Sequence, residues 1–115
     1  MAAKFAARTT TNPVLQEIVR RLVDTYEPER IYLFGSAARG EATPDSDYDL
    51  LVIADDRTPK AKRSSGRAYK ALWGIMIPTD VLVWRRKYFE ERLCLEASLS
   101  STVQREGRLL YAREG

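Results

Sequence analysis

The first part of the chain has apolar residues at helical spacing. They recur every three or four positions, as Val14, Leu15, Ile18, Val19, Leu22, Val23 and Tyr26. This period predicts an amphipathic helix with one buried face. Asn12 supplies an N-cap, Pro13 takes the first helical position, and Pro28 ends the helix. We expect residues 1–12 to form a flexible tail and residues 13–115 to form a single domain.

Four short segments have the composition of β-strands, with β-branched and aromatic residues between turn signals. They cover residues 30–34, 48–54, 80–84 and 108–111. The second segment is apolar on both faces beyond Asp49, which predicts a central position in the sheet. Together with the helices around them, these strands predict one α/β (α+β) domain.

Further helices are predicted between the later strands, over residues 61–73 and 87–96. Serine and glycine residues weaken the middle of the first of these. Ser101 and Gln104 have the spacing of a capping box, which predicts the start of a short last helix. Gly107 is expected to end that helix as a C′ residue.

The composition removes several classes of catalytic site. The 115 residues include no histidine and a single cysteine, Cys94. Nucleophiles activated by histidine, metals held by histidine, internal disulfides and cysteine zinc sites are therefore excluded. No apolar run approaches the roughly 18 residues of a membrane span, and the N-terminus lacks the apolar segment of a secretory signal. We therefore expect a cytoplasmic protein with no membrane partner.

Positive charge is concentrated in one stretch, although the net charge is only +3. Between positions 57 and 79 there is no acid, and there are six cations: Arg57, Lys60, Lys62, Arg63, Arg67 and Lys70. This stretch is either a solvated helix face or a surface that steers a triphosphate or an acidic partner. Nucleic acid is not expected as a direct ligand, because aromatic residues do not alternate with these cations. Trp73, Trp84 and Tyr88 are interpreted as core or interface packing.

Two carboxylates, Asp47 and Asp49, stand two residues apart where the second strand begins. Because side chains alternate across a strand, both are expected on one face, with α-carbons roughly 6.5 Å apart. Like charges at about 4 Å repel by about 4 kcal/mol at an effective dielectric constant near 20. Such a pair needs a divalent cation or a shared proton, and oxygen ligands suit Mg²⁺ or Mn²⁺. Asp80 opens the next strand and would add a third carboxylate, able to bind metal and to accept a proton from a hydroxyl.

The first strand runs into Gly35 and Ser36, which have the properties of a phosphate site. Glycine lets the backbone approach a ligand closely, and the amides of a following helical turn attract phosphate. We expect such a turn, followed by a loop, over residues 37–44. Each motif alone is more often an ordinary turn. The joint order of strand, Gly-Ser, loop, Asp-x-Asp and the later Asp80 indicates a nucleoside triphosphate beside a metal.

In this order the motifs resemble the minimal nucleotidyltransferases of the DNA polymerase β superfamily. The resemblance rests on three motifs: Phe34-Gly35-Ser36, Asp47-Tyr48-Asp49-Leu50, and Asp80 within Thr-Asp-Val-Leu-Val. It extends over about residues 14–112. It implies a small mixed sheet flanked by helices, two Mg²⁺ ions, and transfer of a nucleoside monophosphate, usually AMP from ATP.

By position, the resemblance assigns metal binding to Asp47, Asp49 and Asp80, with Asp80 also activating the acceptor. It assigns binding of the triphosphate to Gly35 and Ser36.

Position 37 departs from many relatives, because Ala37 stands where a basic residue is usual. This leaves Arg39 as the nearest cation for nucleotide binding. Arg39 is equally able to pair with Glu41 or Asp45.

The acceptor is expected to come from a partner or from a subunit interface, because no residues remain for an additional domain. Stand-alone members of this family are typically encoded beside a helical HEPN-type toxin as its antitoxin, and some adenylylate a tyrosine of that partner. The resemblance thus implies Mg²⁺-dependent transfer of AMP to a hydroxyl of a protein. The alternative is a non-catalytic antitoxin that neutralises its partner by contact. A weaker alternative is a nucleic-acid-binding protein that uses the basic stretch.

Overall fold

In the computed structural model, which describes residues 12–40 and 47–113, the first helix forms where the apolar spacing predicts it. This helix, α1, spans Pro13–Tyr26. The Asn12 side chain accepts hydrogen bonds from the backbone amides of Val14 and Leu15, at the start of α1. Such a cap contributes about 1 kcal/mol. The predicted flexible tail lies outside the described residues, apart from this capping asparagine.

Four strands make up the sheet: β1 (Arg30–Phe34), β2 (Tyr48–Ala54), β3 (Thr79–Arg85) and β4 (Arg108–Ala112). Their order across the sheet is β3-β2-β1-β4. β1 is antiparallel to β2 and β4, and β2 is parallel to β3. The predicted central position of β2 is confirmed, since its last five residues are buried.

Helices cover both faces of the sheet, as the predicted fold class requires. α1 and the short helix α2 (Gly66–Ala71) pack on the face that includes Leu50 and Val52. α3 (Arg86–Glu91) and α4 (Leu99–Glu106) pack on the other face, which includes Leu51 and Ile53. Each such buried side chain contributes about 1.5–3 kcal/mol. None of the helices in the described residues has both the length and the apolar character needed to cross a membrane.

The helix predicted over residues 61–73 is divided in two. A 3₁₀ turn covers Lys60–Arg63, and α2 begins only at Gly66. Between them, the Ser64 hydroxyl accepts a hydrogen bond from the amide of Gly66. Serine side chains compete in this way with the hydrogen bonds of a helix, so the serines interrupt the predicted helix.

Two boundaries in the last third of the chain also differ from the prediction. The helix predicted over residues 87–96 is shorter, because α3 ends at Glu91. The predicted capping box at Ser101 and Gln104 is wrong, since the Ser98 hydroxyl caps α4 by accepting from the amide of Ser101 at 3.1 Å. The same Ser98 hydroxyl donates to the carbonyl oxygen of Arg92 at 2.6 Å. This additional hydrogen bond to the preceding turn favours Ser98 over Ser101 as the cap of α4.

Gly107 follows α4 as predicted, but for a different physical reason. Its backbone is extended, with φ of −75°, and not left-handed as expected of a C′ residue. A Cβ atom there would lie 2.6 Å from the carbonyl oxygen of Val103 and 3.1 Å from that of Leu33. Close packing between the end of α4 and β1 therefore requires glycine at this position.

Candidate active site

Asp49 and Asp80 lie opposite each other at the starts of two adjacent strands. The parallel pairing of β2 with β3 places Asp49 in register with Asp80, and the pairing of β1 with β2 places it in register with Phe34. Adjacent strands lie about 4.8 Å apart, and paired side chains point to the same face. The two carboxylates are therefore neighbours on the face that carries α3 and α4.

Asp47 is exposed and precedes β2 by one residue. Burial raises the pKa of Asp49 above its ordinary value, and the negative charges of Asp80 and Asp47 raise it further. Each cause acts in the same direction. Charges shift a neighbouring carboxyl in this way only over short distances, so all three predicted carboxylates occupy one region of the molecule.

The chemistry of this carboxylate cluster, formed by Asp47, Asp49 and Asp80, suits a hard divalent cation. Carboxylate oxygens are the ligands that Mg²⁺ and Mn²⁺ prefer, and a cation would relieve the repulsion among them. Within residues 12–40 and 47–113, no three acidic or cysteine side chains stand close enough together to form a complete metal-binding group. The residues fit a metal by their oxygen donors and by the mutual repulsion that raises the pKa of Asp49, and their role as ligands stays a prediction.

Gly35 directly follows β1 and lies against the Asp49 side chain, in a backbone conformation that favours glycine. Its φ is +76°, in the left-handed region, which costs other residues about 1–2 kcal/mol. A Cβ atom on Gly35 would lie 2.5 Å from a carboxylate oxygen of Asp49. The left-handed turn after β1 therefore favours glycine, and the missing side chain also lets the Asp49 carboxylate lie close to this turn.

The residues after Gly35 form the beginning of the predicted helical turn. The Gly35 carbonyl oxygen accepts hydrogen bonds from the amides of Ala38 at 3.1 Å and Arg39 at 3.3 Å. Ser36 is half-buried within this turn, at the same end of the sheet as the carboxylate cluster. Ala37 packs against the core that includes α1, so position 37 is occupied by core packing and not by a phosphate contact.

Arg39 lies in the same turn and contacts α4. Its guanidinium is 3.7 Å from the carboxylate of Glu106, and both side chains are about half exposed. An exposed ion pair of this kind contributes about 0–1 kcal/mol, so the contact holds Arg39 only weakly. Glu41 and Asp45, the two partners proposed from the sequence, lie outside the described residues. The nucleotide-binding role of Arg39 stays a prediction.

Two hydrogen bonds fix the start of β2 at Tyr48, between the two carboxylates of the Asp-x-Asp motif. The Tyr48 amide donates to the carbonyl oxygen of Pro78 at 3.0 Å. Its phenol oxygen accepts from the side-chain amide of Asn12 at 3.0 Å. The cap of α1 is thus tied to the strand that carries the carboxylates. Sequence analysis missed this link, because no local pattern connects residues 36 positions apart.

A cleft of about 780 Å³ adjoins the carboxylate cluster on its β3 side. Phe34, Asp49 and Asp80 contribute to one part of its lining. The segment between α2 and β3 contributes another part, which includes Trp73 and Met76. Sequence analysis did not find this cleft. A possible signal in the sequence was the tryptophan and the methionine in the connection between α2 and β3, where polar residues are usual.

The three aromatic residues interpreted as packing residues take different positions. Trp84 packs against the core beneath α3, and Tyr88 lies edge-on to it, with ring centroids 4.8 Å apart. Trp73 is instead 85% exposed and lines the cleft. The structure therefore leaves interface packing, and not core packing, as the interpretation of Trp73.

Comparison with known proteins gives one family match and one curated relative. A family model described as nucleotidyltransferase domain matches residues 15–110. The chain is also similar to "Putative protein adenylyltransferase MJ1379" of Methanocaldococcus jannaschii, with 46% identity over 46 residues. That match covers 36% of this chain and 46% of the relative, so the chain spans less than half the length of the curated relative it matches.

Solved structures share the fold. A crystal structure of a toxin–antitoxin with AMP-PNP is similar to the chain with a TM-score of 0.61 and 26% identity, over 84% of this chain and 72% of that chain. A mutant of the toxin–antitoxin MntA-HpeT gives a TM-score of 0.57 at 24% identity, over 90% of this chain and 74% of that chain. These matches confirm the predicted mixed sheet, and the family model confirms the resemblance drawn from the motifs.

Proposed function

This chain belongs to the nucleotidyltransferase domain family, and on that premise we propose that it transfers AMP from ATP to a hydroxyl group of a protein partner. The observation that carries the proposal is the pair of carboxylates in register, Asp49 and Asp80, beside the turn at Gly35. Mutually repelling carboxylates next to a glycine turn have the two features that a metal-bound triphosphate needs, cation ligands and close backbone approach.

Each carboxylate has a role in this proposal. Asp47 and Asp49 would bind Mg²⁺, and Asp80 would complete the ligands of a pair of ions. Bound Mg²⁺, or Mn²⁺, would neutralise charge on the phosphates and orient them for transfer. Asp80 is exposed, so an acceptor hydroxyl can reach it and give up its proton there. The acceptor oxygen forms a bond to the α-phosphorus as the bond to pyrophosphate breaks.

The turn after β1 would hold the triphosphate. Its amides follow Gly35, and the missing side chain at Gly35 leaves the backbone free to approach Asp49 and a shared ligand. The Ser36 hydroxyl would add a donor to a phosphate oxygen. Arg39, in the same turn, would be the nearest cation to the phosphates.

A toxin is the partner that the comparisons support. One similar structure is a toxin–antitoxin with AMP-PNP, which supports both a nucleoside triphosphate ligand and a toxin partner for this chain. We propose that the partner is a helical HEPN-type toxin and that this chain is its antitoxin. A reaction that consumes ATP also favours a cytoplasmic setting.

Transfer of label tests the proposal. The chain is incubated with Mg²⁺, ATP radiolabelled at the α-phosphate, and the protein encoded by the adjacent gene. A variant carrying Asp47→Asn and Asp49→Asn is compared with Asp24→Asn, which changes an exposed carboxylate on α1. We expect label on the partner with wild type and Asp24→Asn, and none with the double variant.

The outcomes separate the two functions. A wild-type chain that transfers no label contradicts the proposal. Neutralisation of the partner by wild type and double variant alike, without label, identifies the alternative function, an antitoxin that acts by contact alone.

A further inference from the structure

We propose that the cleft beside Asp80 docks the acceptor protein, and that this protein presents an apolar segment bordered by acidic residues. The inference rests on the proposed function, because it takes the acceptor to be a protein. We call this surface the β3 cleft. Its lining includes Phe34, Asp49, Tyr69, Trp73, Met76 and Asp80.

The β3 cleft is bordered by large side chains that the described structure leaves in solvent. Trp73 is 85% exposed, Met76 is 91% exposed and Tyr69 is 76% exposed. Single exposed apolar residues are common on protein surfaces, whereas several around one concave site mark a contact surface. Tryptophan, tyrosine and methionine are also enriched in protein interfaces. These residues therefore suit contact with another protein.

The position of the β3 cleft fits the direction from which an acceptor must approach. Across the sheet, Gly35 follows β1, Asp49 lies on β2 and Asp80 lies on β3. The acceptor oxygen enters in line, on the side of the phosphorus opposite the leaving pyrophosphate. With pyrophosphate at the turn after Gly35, the acceptor comes from the β3 side. The β3 cleft lies there and includes Asp80, the proposed proton acceptor.

β3 itself offers an unpaired strand edge. In the part of the chain that the structure describes, β3 pairs only with β2. Edge strands present free amide and carbonyl groups to a second chain, and an extended segment can add to such an edge through main-chain hydrogen bonds. Leu82, on this strand, is partly exposed and lines the same cleft. A polypeptide thus finds both backbone and side-chain contacts here.

The charge around the β3 cleft indicates that the partner is acidic. Residues 65–79, which supply one side of the cleft, contain two cations, Arg67 and Lys70, and no acid. Lys70 is exposed and directly follows Tyr69, which lines the cleft. Complementary charge steers association and excludes like-charged partners. A second copy of this chain would bring the same cations together, so it fits the surface poorly.

Nucleic acid also fits poorly, although it would match the cations. No Lys or Arg in the described residues lines the β3 cleft, and its walls are largely apolar apart from Asp49 and Asp80, so a run of phosphate groups would find no cation inside it. Acidic side chains can lie on the outer cations while an apolar segment with a hydroxyl enters the cleft. A protein meets both requirements at once.

Replacement of the exposed apolar residues tests the docking surface. A variant with Trp73→Ser and Met76→Ser is compared with Leu95→Ser, which removes an apolar side chain that is 56% exposed at another place. The probe is the protein encoded by the adjacent gene. We expect the double variant to bind it at least tenfold more weakly and to raise the acceptor KM, while the KM for ATP is unchanged. Leu95→Ser is expected to match wild type, and Lys70→Glu to slow association at low salt.

Each other outcome overturns a defined part of the account. Unchanged acceptor binding and KM in the double variant overturns the docking surface and leaves the proposed function standing. A raised KM for ATP means that the cleft holds the nucleoside, and a wild-type dimer lost in the variant means that it holds a second copy; both overturn the inference. If wild type binds the partner without transferring label, the proposed function fails while the binding data still decide the docking surface. A wild-type chain that does not bind this partner overturns both.

Discussion

The two ends of the sheet both carry acidic side chains, and they differ in what surrounds these groups. Where β1 begins and β2 ends, acids and arginines alternate in one ion-pair network: Glu29, Asp55, Asp56, Arg57, Arg86 and Arg113. Hydrogen bonds from Arg57, and a further one from Arg113, hold the pKa of Asp55 well below its ordinary value. Each negative charge at this end has an opposite charge within contact distance.

At the other end of the sheet, the carboxylates of the cluster have the opposite pKa shift. Burial and mutual repulsion raise the pKa of Asp49, and the nearest backbone, at Gly35, approaches without a side chain. The network end holds strand ends together, and the cluster end keeps a repulsion that a bound cation would relieve. The comparison teaches that acidic residues identify a ligand site by the repulsion among them, and not by their number.

The largest effect is expected on the rate of transfer, when one carboxylate of the cluster is removed. Removal of a carboxylate at the network end serves as the control. Asp80→Asn removes the proposed proton acceptor, so kcat/KM for labelled transfer should fall by about 10³-fold, or about 4 kcal/mol. Asp56→Asn, within the network end, should leave kcat/KM close to wild type. Initial rates with the adjacent-gene protein measure both. Equal rates for wild type and Asp80→Asn would contradict the proposed role of Asp80, and with it the functional difference between the two ends of the sheet.

A smaller effect is expected at the glycine that contacts the cluster. Gly35→Ala and Gly40→Ala both place alanine at φ of +76°, but only at Gly35 does the added Cβ meet other atoms. Both should lose about 1–2 kcal/mol from backbone strain. Gly35→Ala should lose about 0.5–1.5 kcal/mol more, because the Asp49 side chain must rotate to move its outer oxygen away from the added Cβ. Urea unfolding measures the difference, and equal losses would show that the close contact with Asp49 is unimportant.

The smallest effects concern pH, and the two ends should give opposite signs. The pKa of Asp49 is raised by folding, so at pH 7 its charge opposes folding, and Asp49→Asn should increase the free energy of unfolding. This gain should vanish below the ordinary pKa of 3.8. The pKa of Asp55 is lowered by folding, so Asp55→Asn should destabilise at pH 7, with the loss shrinking as pH falls through the lowered pKa.

Urea unfolding at pH 7 and at low pH measures both variants. Changes of the same sign at the two positions would contradict the electrostatic contrast between the ends. Arg113→Gln serves as a further check, because it should destabilise the network end and leave the effect of Asp49→Asn unchanged.

Local patterns predicted the parts of the fold that depend on neighbours in the sequence. The period of α1 identifies its buried face, and the composition of β2 identifies its central position in the sheet. The order of motifs then brought in Asp80, which the register of β3 places beside Asp49. These predictions held because each rests on backbone geometry that sequence spacing determines.

Features that depend on tertiary contacts were not predictable. Ser98 and Ser101 are both plausible caps, and the choice depends on the carbonyl oxygen of Arg92, which only the folded chain brings near. The fit of Gly35 against Asp49 requires the register of two strands. The network end likewise joins residues from every part of the sheet. The β3 cleft was missed because exposure of Trp73 is a property of the packed structure.

Thermal unfolding with Mg²⁺ and AMP-PNP tests the central claim most directly, that the carboxylate cluster binds a metal-bound nucleoside triphosphate. At ten times Kd, a ligand adds about 1.4 kcal/mol of stability, or about 5 °C in Tm for a domain of this size. We predict this shift for wild type and for Asp55→Asn compared with its own unliganded form. Asp49→Asn should have a higher Tm without ligand and no shift with it. An equal shift in wild type and Asp49→Asn, or no shift in wild type, would contradict the account.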